Sequence, residues 1–208
     1  MKRSQAYVSV LFQRLLQPIV SLCELLGPEG PGPNEVQASA HENGYAASLI
    51  VLVAIVLESA VNRTRYIRGE AGRAVPASTI RRLGATELAN DVEEIFVVRD
   101  VIAHGHIWEA SVRWSEQGMK LDRVERRASF GDKKFDRIVE PATRQTRRLH
   151  LDVFPTRIHR GTAIAALKKC AEVLRFLEGL DQRYVYLEPE YVTWESRDVP
   201  FYEWVDHL

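Results

Sequence analysis

Residues 86–104 read Thr-Glu-Leu-Ala-Asn-Asp-Val-Glu-Glu-Ile-Phe-Val-Val-Arg-Asp-Val-Ile-Ala-His, and a glycine follows at 105. Leu88, Val92, Ile95, Phe96, Val98, Val101 and Ile102 recur at steps of three and four, which describes a helix with one face turned to a core. Thr86 is suited to the N-cap, Glu87 to the positive end of the first turn, and Gly105 to the stop. Helical periodicity on both sides of this stretch makes the chain mainly α.

Upstream, residues 40–68 predict a longer helix. It is apolar on every side through Leu49–Leu57, so it belongs at the centre of a bundle, and it turns polar at Glu58, Asn62, Arg63 and Arg65. Gly69 and Gly72 end it, Pro76 follows, and Ser78 is placed to cap a short helix holding Ile80 and Leu83. A further helix is expected over residues 5–26, from Val8, Leu11, Leu15, Ile19, Leu22 and Leu26. It closes at Gly27 and a Pro/Gly-rich loop.

Downstream the period changes to two. Trp108, Ala110, Val112 and Trp114 alternate with polar residues, Glu116-Gln117-Gly118 is a turn, and Lys120–Arg127 is the return strand of a hairpin at about 107–127. Residues 130–155 have no clear period. Residues 157–180 predict a last helix with Ile164, Leu167, Val173, Leu174 and Leu177 on its apolar face. The chain therefore divides into a helical domain over 1–183 and an extension over 184–208. That extension holds Tyr184, Tyr186, Tyr191, Trp194, Phe201, Tyr202 and Trp204, and its acids face Arg197 as the one base. It is too aromatic for a solvated tail and should dock on the domain or on a partner.

The 208 residues are 46% hydrophobic and 27% charged, with a formal net charge of zero. Whole-molecule charge thus gives no reason to expect a polyanion partner. Cys23 and Cys170 lie far apart in apolar helical stretches and read as two buried thiols, with no metal-ligand spacing around them. Gln13, Arg14 and Gln17 interrupt the apolar run near the start, which argues against an export signal. The most apolar stretch is short for a membrane span. A soluble, cytoplasmic protein with no membrane association and no cofactor is expected.

The segment Arg99-Asp100-Val101-Ile102-Ala103-His104-Gly105 ends one helix, and a long apolar helix carrying Glu58 and Asn62 precedes it. In this the chain resembles the HEPN family, helical bundles marked by an arginine, a polar residue, a short spacer and a histidine. Arg99, Asp100 and His104 match that pattern, with Asp100 where asparagine is frequent. The resemblance covers residues 5–105, with the last helix completing the bundle; the hairpin and the aromatic extension lie outside it. It implies a metal-independent endoribonuclease of a toxin–antitoxin or antiviral (phage) defence type. Such an enzyme acts as a homodimer whose two motifs form one composite site, with an antitoxin, such as a nucleotidyltransferase-like protein, as a partner. A non-catalytic HEPN module that binds a nucleotide or a protein is the alternative.

The residue chemistry fits RNA cleavage. Histidine titrates near neutrality and suits proton transfer, whereas arginine offers forked donors to phosphate oxygens. His104 is the expected acid or base, Arg99 the phosphate ligand and Asp100 the residue that orients one of them; His106 is a rival for His104. Arg99 and His104 are five residues apart and diverge on a regular helix, whereas Asp100 and His104 share a face. They converge if the helix loosens near Gly105, or if one subunit's arginine meets the other's histidine. Glu58 and Asn62 are supporting candidates. Residues 113–160 hold thirteen Lys and Arg against seven acids, and Arg123, Arg126, Arg127, Lys133 and Lys134 are candidate RNA contacts. A surface neutralised by the acidic extension is the competing expectation. Core packing is expected for Trp108 and Trp114, with base stacking as the other use.

Overall fold

In the computed structural model, residues 12–27, 30–31, 38–72, 74–104, 108–116, 118–126 and 133–208 are described. The centre is α2 (Ala40–Ile67), with Leu49, Ile50, Val53, Val56, Leu57, Ala60 and Val61 buried. It packs against α1 (Leu16–Glu24), α3 (Pro76–Arg82), α4 (Thr86–His104) and α6 (Arg160–Leu180). These neighbours cover most of its apolar surface but not all of it, since Ile55 is exposed. By length and composition alone α2 is also long enough and apolar enough to cross a membrane. The fold is mainly α, with three two-stranded sheets among the described residues.

Local starts and stops follow the side chains. Ser39 caps α2 by accepting the Glu42 amide at 3.2 Å. Pro76, not Ser78, opens α3. A proline at the first helical position loses no internal hydrogen bond, and the Ser78 hydroxyl instead donates to Val75 O at 2.8 Å. Thr86 is the first helical residue of α4, not a cap outside it. The expected helix over 5–26 is a 3-10 turn (Phe12–Leu15) running into α1; residues 5–11 lie outside the described residues. The last helix begins at Arg160, later than 157, because Pro155–Arg157 forms a separate 3-10 turn.

The hairpin is β1 (Trp108–Ser115) with β2 (Gly118–Arg126), antiparallel, with an irregularity between Ser111 and Val112. Trp108 packs edge-on to Phe154 at 5.7 Å and against Phe135 at 6.1 Å. Trp114 is 75% exposed, contrary to the expected core packing, because it lies at the far end of the hairpin, away from the bundle.

The segment without a clear period is held by buried acids. It contains α5 (Lys133–Ile138) and the short pair β3 (Val139–Glu140) and β4 (Gln145–Thr146). Glu94 of α4, 2% exposed, accepts the Arg148 amide at 2.9 Å and the Leu149 amide at 2.8 Å. Asp91, one turn earlier, accepts from Arg148 Nε at 2.9 Å and lies 3.3 Å from Lys169 Nζ. These bonds satisfy backbone donors that no regular element would satisfy. Among the described residues, Arg137 and Arg148 meet acids of α4, and Arg147 meets Glu140.

The extension enters the same core. Trp204 is 0% exposed, and Phe201, Val205 and Val192 are buried beside it. It forms β5 (Tyr191–Trp194), β6 (Arg197–Pro200) and α7 (Phe201–His207). The glutamines that break the early apolar run are its fasteners. Gln17 exchanges two bonds with the Thr193 backbone, at 2.8 and 3.0 Å, and Gln13 donates to Tyr186 O at 2.9 Å. Arg175 of α6 donates to Asp206 at 2.7 Å, and the Tyr202 hydroxyl donates to Glu178 at 2.8 Å. Both cysteines are buried, and burial pushes the Cys23 thiol up to about 12.

Two stability outcomes follow from these contacts. Glu94→Ala removes a buried carboxylate that accepts from two part-buried amides, so chemical denaturation should show a loss of about 2–4 kcal/mol with little change in the denaturant slope. His159 is the second case. Its Nδ1 lies 2.9 Å from Arg157 O and 3.3 Å from buried Asp152, and the bond to Asp152 raises its pKa above the ordinary 6.5. A raised folded-state pKa stabilises fully below pH 6.5 and ceases to do so as pH rises through the folded-state value. The stability difference between the unaltered chain and His159→Gln should therefore shrink with rising pH in a denaturation series. A difference that is constant or grows with pH refutes this.

Candidate functional site

A cleft of about 680 Å³ opens where the polar end of α2 faces α4. Glu58, Asn62 and Arg65 line it from α2, and Phe96, Arg99 and Asp100 line it from α4. Gly72, Ala74, Val75 and Pro76 form one wall, and Lys134 of α5 reaches it from the segment after the hairpin. The spacing of 58, 62 and 65 puts three polar side chains on one helical face. The same face carries Ile55, exposed like Glu58 and Asn62, whereas Arg65 is buried.

Arg99 is the centre of the arrangement. Its side chain is 30% exposed, and its guanidinium carbon lies 5.1 Å from the centroid of the Phe96 ring. Arg99 Nε is buried and has no hydrogen-bond acceptor among the described residues. Its near neighbour is Asp100 Oδ1 at 3.3 Å, a charge contact without hydrogen-bond geometry. The same carboxylate oxygen lies 3.9 Å from His104 Nε2, so Asp100 stands between the arginine and the histidine. Four residues of helix put Asp100 and His104 one above the other, whereas the five from Arg99 to His104 turn them apart.

His104 is the last residue of α4, and its side chain is 67% exposed. It is not among the residues lining the cleft. The helix stays regular through His104, so the two motif residues do not converge by loosening within the described part of α4. His106, the rival, lies outside the described residues.

The structure brings the supporting candidates Glu58 and Asn62 into the same cleft as Arg99 and Asp100. Of the candidate RNA contacts, Lys134 lines the cleft and Lys133 is exposed beside it in sequence. Arg123 and Arg126 sit on β2, opposite Ser111 and Trp108, and Arg127 lies outside the described residues. Arg65 is the residue that the sequence reading passed over. It marks the polar turn of α2, and its register with Glu58 and Asn62 was the available signal. Among the described residues, no three of His, Cys, Asp and Glu gather as a metal ion would require.

Comparison of the chain with family models, with curated proteins and with solved structures finds no match.

Proposed function

We propose that the chain is a metal-independent endoribonuclease of the HEPN kind, acting in a toxin–antitoxin or antiviral defence setting, with the cleft between α2 and α4 as its RNA face. The observation that carries this reading is the state of Arg99: mostly buried, short of acceptors at Nε, and lining a cleft beside a carboxylate that also reaches toward a histidine. A buried cation with unmet donors is an anion site in waiting.

In the proposed reaction a base removes the proton of the ribose 2′-hydroxyl, and that oxygen attacks the adjacent phosphorus. The bond to the 5′-oxygen breaks, and an acid returns a proton to the leaving oxygen. The products are a 2′,3′-cyclic phosphate and a 5′-hydroxyl. Arg99 holds a non-bridging oxygen as charge builds on it. His104 serves as acid or base, and Asp100, one helical turn earlier on the same face, orients its ring. Because Arg99 and His104 point apart on one helix, the arginine of one copy works with the histidine of a second. RNA and a second copy of the chain are the proposed partners, with an antitoxin as the natural restraint on such an activity. A cytoplasmic site of action fits an RNA substrate.

The exposure of His104 and its place outside the cleft lining favour the alternative, a HEPN module that binds a nucleotide or protein without cleaving. Cleavage of a mixed RNA pool in EDTA separates the two. The expected result is cleavage by the unaltered chain and a loss of about 10²-fold or more in His104→Ala and in Arg99→Ala. Absence of cleavage by the folded, unaltered chain supports the binding module.

The composite arrangement has its own test. Mixing Arg99→Ala with His104→Ala should restore part of the activity, because each mixed dimer keeps one intact arginine–histidine pair. Activity in neither parent nor mixture, from an active unaltered enzyme, places both residues of a working pair on one chain.

A further inference from the structure

Arg65 is 6% exposed, lines the cleft, and sits one helical turn below Asn62 and two below Glu58. Its Nη2 donates to Ala71 O at 3.2 Å and to Gly72 O at 2.7 Å, which fastens the turn that becomes one wall of the cleft. Its Nε is buried and has no hydrogen-bond acceptor among the described residues. The nearest carboxylate is Glu70, at 3.6 Å. Glu70 is already engaged: Arg68 lies at 2.9 Å and Arg82 at 2.6 Å.

One carboxylate shared by three guanidinium groups leaves positive charge over, and Arg65 is the most buried of the three. A buried cation that lacks a counterion of its own is costly unless something supplies the anion. Within the cleft, the acids do not make up the difference. Asp100 faces Arg99 and His104, and Glu58 is exposed at the rim.

We propose that Arg65 is a second phosphate ligand of this cleft, so that the cleft holds a stretch of polynucleotide backbone, with Arg99 on one phosphate group and Arg65 on the same group or its neighbour. The inference rests on the reading of the cleft as an RNA site and extends it from one arginine to two. It makes Arg65 a binding residue as well as the fastener of the 70–72 turn.

The two roles separate experimentally. In the unaltered full-length chain, the side-chain Nε–Hε signals of the arginines are followed by NMR as inorganic phosphate, and then a short single-stranded RNA, is added. The expected result is that Arg65 and Arg99 shift together with one midpoint while Arg81, paired with Asn90 and Glu93 on the outside, stays still. Movement of Arg99 without Arg65 overturns the proposal and leaves the RNA site standing. If neither moves and the folded chain cleaves no RNA, the reading of the cleft itself fails, and the proposal with it.

Salt dependence gives the second measurement. Arg65→Met should weaken RNA binding about tenfold and lower the log–log salt slope by about 0.7, while Arg65→Lys keeps the slope. A lower melting temperature with an unchanged slope in the folded variant means the residue only fastens the turn, and overturns the proposal. RNA held no more tightly than a mononucleotide 5′-phosphate overturns the polynucleotide assignment.

Discussion

The crossing of α2 and α4 is the constraint from which the site follows. For most of its length α2 is apolar around its whole circumference, and Leu49, Ile50, Val53 and Leu57 have essentially no exposure. Such a helix is stable in water only when most of its surface is covered, and α1, α3, α4 and α6 cover it except along the stripe that holds Ile55, 43% exposed. Past the apolar run one side of α2 stays buried through Ala60, Val61 and Thr64. Glu58, Asn62 and Arg65 emerge on one face, and the neighbouring helix at that level presents Arg99 and Asp100. The cleft is therefore the place where two long helices stop being able to bury one another.

Along α4 the same kinds of residue are treated in two ways. Asp91 and Glu94 are buried and well partnered: arginine, lysine and two backbone amides meet their oxygens. Two turns later Arg99 is also largely buried, yet its Nε finds no acceptor among the described residues. The first pair organises the 139–158 segment and, through Lys169, ties it to α6. The second arrangement does nothing comparable for the fold. Polar groups that a structure buries without satisfying are expensive, and they persist where they serve something other than stability. That contrast within one helix separates the architectural end of α4 from the end proposed to meet RNA.

Much of the architecture was legible because it is periodic. The bounds of α2 and α4, the hairpin, and the apolar face of α6 all follow from steps of 3.6 or 2 in the apolar residues. The 130–155 region was not legible, because long-range bonds hold it: Glu94 reaches backbone amides more than fifty residues away, and no local pattern announces them. The role of the glutamines at 13 and 17 was hidden in the same way. Read locally they interrupt an apolar face; in the structure they pair with backbone near residues 186 and 193. Arg65 escaped because an arginine near a helix end usually solvates it, and only the packing of the 70–76 wall buries this one. In the candidate site, Arg99, Asp100, Glu58 and Asn62 were picked out by the resemblance to the HEPN pattern, but their sharing of a cleft was not legible.

The regularity of α4 bears on how a site of this kind would work. Had the helix unwound before His104, one chain could have folded arginine and histidine onto a single phosphate. It does not unwind within the described residues, and the five-residue separation leaves the two side chains pointing apart, with Asp100 between them. On the proposed reading, the lone chain is then an incomplete catalyst: it can hold a phosphate in the cleft but cannot bring its own histidine to the same atom. Activity becomes a property of association, and any partner that covers the exposed end of α4 would suppress it by preventing the second copy from arriving. For a nuclease that is harmful when unrestrained, control through assembly requires no change in the cleft itself.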